Sequence, residues 1–134
     1  MYTGGAPSSD RVRQMRPEDA LSPPGGVAIE RHGDVPVVSL WGEHDVSTVD
    51  AVRERLAEAG AEPGLIVVDL VRAFFIDSSV AGALLEAYRR DSPPRMRFVA
   101  APGTSPRALF TMLGFDGSVP IFERLEDALS PEPR

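Results

Sequence analysis

The chain has 134 residues, 43% of them hydrophobic and 25% charged, which is enough for one domain with a packed core and short for two. All 14 cations are Arg and 20 acids outnumber them, giving a formal net charge of -6; such a balance argues against general nucleic-acid binding, which needs clustered cations. With no Cys, disulfides and thiolate metal sites are excluded.

Residues 1–25 are rich in Gly, Pro, Ser and charge, too poor in large apolar groups to offset the entropy of ordering them. They are expected to form a disordered tail, followed by one domain over 26–130 and a flexible end at 131–134. Apolar runs such as Leu65–Val68 fall far below the roughly 20 residues of a membrane span, and nothing reads as a signal peptide. The expected location is the cytoplasm.

In chain order, "GVAIERHG" and "VPVVSLWG" read as two strands joined by a hairpin turn at His32-Gly33-Asp34. Ser47 then precedes a helix in which Val49, Val52 and Leu56 recur at helical spacing, with Asp50 in the first turn and Gly60 closing it. "LIVVDL" is a continuous apolar run, the mark of a strand covered on both faces. The stretch "AFFIDSS" ends a second apolar run in an acid and two hydroxyls, and a helix follows from Ser78 to Arg90. "RMRFVAA" reads as a strand, Ser105-Pro106 starts a helix that Gly114 stops, Val119–Phe122 is a brief strand, and "ERLEDAL" a final helical turn. Strands alternating with helices imply an α/β fold with crossover connections, and the first two strands are too close for one. The expectation is a mixed sheet of four or five strands.

Two polar clusters interrupt this pattern: Gly42-Glu43-His44-Asp45 and Asp77-Ser78-Ser79. Both fall between a strand and the next helix, so in a parallel sheet they share one rim, where open α/β sheets place their sites. Ser78 as the cap of its helix explains one hydroxyl but not the acid beside it or the companion acidic loop. A hydrolase built from Ser78, His44 and Asp77 lacks the Gly-x-Ser-x-Gly elbow. Glu43, Asp45 and Asp77 offer oxygen ligands of the kind Mg²⁺ takes, but no phosphate-binding loop accompanies them. His44 reads as a solvated loop residue, Trp41 and the Phe74-Phe75 pair as core, with one of the two Phe facing outward in an extended strand.

The same residues, in this order, resemble the STAS domain of bacterial anti-sigma factor antagonists. The Gly42–Asp45 turn is similar to that family's Gly-Glu-Leu-Asp-like turn, and "FFIDSSVAG" to its F-(I/M)-D-S-S-G-L segment. Ser105-Pro106 with Leu109-Phe110, then Leu113-Gly114-Phe115 and Ile121-Phe122 through Glu126-Asp127-Ala128-Leu129, complete the likeness. It implies a STAS-like mixed four- or five-stranded sheet with helices mainly on one face. It also implies a regulator and not an enzyme, without a cofactor: an antagonist that binds an anti-sigma factor kinase. Phosphorylation of Ser78 by that kinase switches it off, a phosphatase resets it, and sigma factor release, hence transcription, follows. Glu43, Asp45, Asp77, Ser79 and Val80 become the surface around the switch. The alternative implied by the same fold is an adaptor subunit of a stress-sensing or lipid-transport complex. Two positions depart from the family pattern. Val80 stands where Gly is usual, on a first helical turn expected to be exposed and to hinder a kinase's approach. His44 stands where an aliphatic residue is usual, and its titration would give binding a pH dependence.

Overall fold

The computed structural model describes residues 25–115 and 117–131. The tail expected over 1–25 therefore lies outside the described residues except for Gly25, and 131–134 except for residue 131.

Five strands form one sheet in the order β1-β2-β3-β4-β5: Gly26–His32, Val35–His44, Ile66–Ile76, Met96–Val99 and Ile121–Phe122. β1 and β2 are an antiparallel hairpin, Gly26 opposite Trp41 and His32 opposite Val35, and Gly33 takes a positive φ of 64° in its turn. That φ is open to Gly at no steric cost. The remaining pairs are parallel, each joined through a helix. The helices are α1 (Val49–Ala59), α2 (Ser78–Arg90), α3 (Ser105–Met112) and α4 (Leu125–Leu129).

Strand order that follows chain order, with crossovers of one hand, sends successive helices to the same face. Val38, Leu40, Ile66, Val68, Leu70 and Phe98 accordingly pack under α1, α2 and α3. α1 contributes Val49, Val52, Leu56 and Ala59 at helical spacing, and α2 the small residues Ala81, Ala83 and Ala87, which let its backbone approach the sheet. Phe98 and Phe110 meet edge to face with ring centres 5.6 Å apart, joining β4 to α3. α4 has no strand after it and covers the other face, where Val37, Val67, Val99 and Ala128 are buried together. This explains why Ile66–Val68 are all buried: each face of β3 is covered there.

The upper half of β3 departs from simple pairing. Ser39 opposes Asp69 but Trp41 opposes Arg72, and Gly42 opposes Ala73 but Glu43 opposes Phe75, so β3 carries an extra residue at two places. Bulges of this kind rotate side chains out of strict alternation. The Asp69 carboxylate accepts the Val71 N–H at 3.0 Å within the first. Ala73 and Ile76 stay in the core while Phe74 is 69% and Phe75 42% exposed. The expectation that this pair is core with one ring outward is thus corrected: the second bulge turns both rings toward solvent. Trp41 is corrected too. It is half-buried on the face away from α1–α3, under the Arg72 guanidinium at 5.5 Å, and Gly26 leaves room for its ring.

Arg95 fastens the end opposite the Asp77 rim. Its guanidinium donates to Asp91 at 2.9 Å and to the carbonyls of Gly60, Glu62 and Gly64 at 2.7–2.8 Å, tying the α1–β3 connection to the α2–β4 connection. Arg97 similarly holds α4 through the Ala128 and Ser130 carbonyls.

Candidate functional site

β2 and β3 are parallel and in register at their ends, His44 opposite Ile76, so the two polar clusters emerge side by side. The Asp77 N–H donates to the His44 carbonyl at 3.1 Å, closing the gap between the loops. The shared rim expected from sequence is therefore present, and Asp45 and Asp77 are near enough for the charge of one to raise the pKa of the other.

The α2 cap is Asp77, not Ser78. The Asp77 carboxylate accepts the Val80 N–H at 3.1 Å and the Ser79 hydroxyl at 2.6 Å. An acid in this position satisfies an otherwise unpaired N–H and complements the helix dipole. The Ser79 hydroxyl, chiefly, holds the Asp77 carboxyl below the usual carboxylate range. Ser78 is the first helical residue, and its side chain is exposed. Among the described residues its hydroxyl makes no hydrogen bond. Asp77 supplies the cap and Ser79 buttresses the cap, which leaves the hydroxyl between them unengaged.

On the neighbouring loop, Asp45 accepts the Ser47 hydroxyl at 2.6 Å and the Ser47 N–H at 2.9 Å, and these bonds lower its pKa. Thr48, not Ser47, precedes α1, and the Ser47 hydroxyl is engaged with Asp45 instead of the helix. Glu43 is exposed and paired with Phe75.

His44 is not a solvated loop residue. Its ring is 1% exposed, with Nε2 3.0 Å from the carbonyls of both Gly26 and Trp41 and Nδ1 3.0 Å from the Thr48 hydroxyl. Burial lowers its pKa, opposed by the two carbonyls and by Asp45. Both nitrogens are thus engaged away from Ser78, so His44 is not placed as a base for that hydroxyl. Glu43, Asp45 and Asp77 share the rim, but among the described residues no three acids or histidines come together as metal ligands.

Val80 also departs from expectation. It is fully buried among the core residues beneath α2, because the third position of this helix faces the sheet. Its side chain is no obstacle on the surface. What the sequence reading missed is apolar: Val46, 70% exposed, follows Asp45 in its loop, and both Phe rings are exposed at the end of β3 just before Asp77. Strict alternation along β3 turns one ring outward, and only the bulge turns out the second.

A hairpin followed by three parallel crossovers, with an acid-capped serine at the start of the second helix, defines a small α/β domain that presents an exposed serine hydroxyl at one rim of its sheet. The chain belongs to the STAS domain family, whose model matches residues 26–128. It is 32% identical over 106 residues to the anti-sigma-F factor antagonist RsfB of Mycobacterium tuberculosis, covering 78% of this chain and 86% of that one. An anti-sigma factor antagonist from Mycobacterium paratuberculosis superposes with a TM-score of 0.71 at 28% identity, covering 79% of this chain and 92% of that one. The phosphorylated form of the Bacillus cell fate determinant SpoIIAA shares the fold, with a TM-score of 0.59 at 24% identity over 78% of this chain and 96% of that one. Among the described residues no helix is long and apolar enough to cross a membrane.

Proposed function

We propose that this protein is an anti-sigma factor antagonist that binds an anti-sigma factor kinase and is switched off when that kinase phosphorylates Ser78. The observation that carries the reading is the Ser78 hydroxyl: exposed, at the first position of α2, and unbonded among the described residues while its neighbours are committed to the cap. The relatives named as antagonists support the general role. In the modification, Ser78 Oγ attacks the γ-phosphorus of ATP held by the kinase, its proton departs to a base on that partner, and ADP leaves. A phosphatase returns the hydroxyl by hydrolysis.

The effect is electrostatic and local. Phosphate adds about -1.5 to -2 charges at neutral pH. A helix N-terminus ordinarily welcomes an anion, but Asp77 already occupies that place on α2. The phosphate therefore stays on the surface beside Asp77 and Asp45, adding bulk and repulsion where the partner docks. A loss of about 3 kcal/mol weakens a complex roughly 100-fold, with no change of fold.

The test is incubation with the cognate kinase and ATP, phosphosite mapping, and titration of the partner. Ser78→Ala binds constitutively and takes no phosphate, whereas Ser78→Asp binds more weakly. Equal binding by both variants, or a phosphate found elsewhere with Ser78 untouched, overturns the mechanism.

A further inference from the structure

Residues 1–24 join the domain at Gly25 and Gly26, and both positions need glycine because backbone at the first and an indole ring at the second come too near for a side chain. A Cβ on Gly25 would overlap the Glu43 carbonyl, and one on Gly26 the Trp41 ring. The Gly26 carbonyl also accepts from His44 Nε2 at 3.0 Å. The point where the domain begins is thus fixed beside the Gly42–Asp45 turn. Gly26 opposes Trp41 and Glu43 opposes Phe75, so with strands about 4.8 Å apart Gly25 lies two strands, roughly 10 Å, from Phe75.

The surface at that point combines two kinds of group. Glu43, Asp45 and Asp77 are acids that make no ion pair among the described residues, and Val46, Phe74 and Phe75 are exposed apolar side chains. Residues 11–16 read Arg-Val-Arg-Gln-Met-Arg, cations interleaved with apolar side chains. Eight residues lie between Arg16 and Gly25, and the nine steps from one to the other reach up to ~30 Å. The segment has both the reach and the complementary chemistry.

We propose that residues 11–16 of this chain dock on its own Ser78 rim, their Arg side chains on Glu43, Asp45 and Asp77 and their Val12 and Met15 against Val46, Phe74 and Phe75. Its role as a competitor of the partner rests on the function proposed above; the docking itself does not, and requires neither kinase nor phosphate. Tethering holds the segment at an effective concentration on the order of millimolar, so weak contacts suffice.

Because the chain has no Cys, a nitroxide on a single Ser9→Cys substitution reports on the full-length protein. In solution NMR, amides of Glu43–Val46 and Phe74–Ser79 broaden, while those of Gly33 and Gly64 at the opposite end of the sheet do not. Arg11→Gln, Arg13→Gln and Arg16→Gln together reduce the broadening several-fold, and so does salt at about 1 M, where the Debye length is about 3 Å. Equal broadening at both ends, or broadening that survives both treatments, overturns the proposal. So does broadening seen only between nitroxide-bearing and isotope-labelled copies in a mixture, which assigns the rim to a second molecule. A failure here leaves the Ser78 phosphorylation test unaffected.

Discussion

Asp77, Ser78, Ser79 and Val80 differ chiefly in where their side chains point. Asp77 turns back to cap α2, Ser79 turns toward Asp77, Val80 enters the core and Ser78 faces water. The departure at Val80 is therefore a packing change beneath Ser78, not a change of the surface around it. Val80→Ala removes two buried methyl groups and should lower the unfolding free energy by roughly 2 kcal/mol, transfer and cavity included. The rate of Ser78 phosphorylation should be unchanged at a temperature where the variant stays folded. Denaturant titration and a kinase assay on one preparation check both halves. A slower reaction with unchanged stability would mean that Val80 acts on the partner directly.

At the scale of elements, α1, α2 and α3, the hairpin and the alternation of strand with helix were legible because each rests on a local rule: helical spacing, a Gly at a turn, Ser-Pro at a helix start. Three things were not legible. Which of two adjacent groups caps a helix depends on side-chain orientation, so Ser78 offers itself as a cap in the sequence where Asp77 takes that position. The bulges in β3 arise from pairing between distant segments, and no run within "VRAFFI" announces them. The long-range role of Arg95 was equally hidden, since its partners lie some thirty residues earlier at Gly60, Glu62 and Gly64. Arg95→Ala leaves three carbonyls without this donor and Asp91 without its ion pair. Bonds from a charged donor contribute about 1.5–3 kcal/mol each at most, and water reaches part of this site, so the expected loss is about 2–3 kcal/mol in all. Chemical denaturation should show a lower midpoint with an unchanged slope. The Ser78 rim, at the other end of the sheet, should keep its partner affinity.

For the whole molecule, His44 couples stability to pH. Its ring joins the start of β1, the end of β2 and the residue before α1, and its own carbonyl holds Asp77. Burial sets its folded pKa below 6.5, the value of an unperturbed His, so as the pH falls the unfolded chain takes up the proton first. Stability from the neutral ring is then fully present above about 6.5 and lost as the pH falls toward the folded value, by at most about 1.4 kcal/mol per pH unit. Asp45 and Asp77 act in the same direction but in another window. Their folded pKa values lie below 3.8, so the stability they contribute is lost only in stronger acid. Unfolding free energies measured between pH 7.5 and 5 should therefore fall toward the acid end, and His44→Gln should flatten most of that slope. The chain contains only one other His, which makes the comparison direct. Stability that rises on acidification would mean that the two carbonyls beside Nε2 outweigh burial and that the folded ring carries the charge.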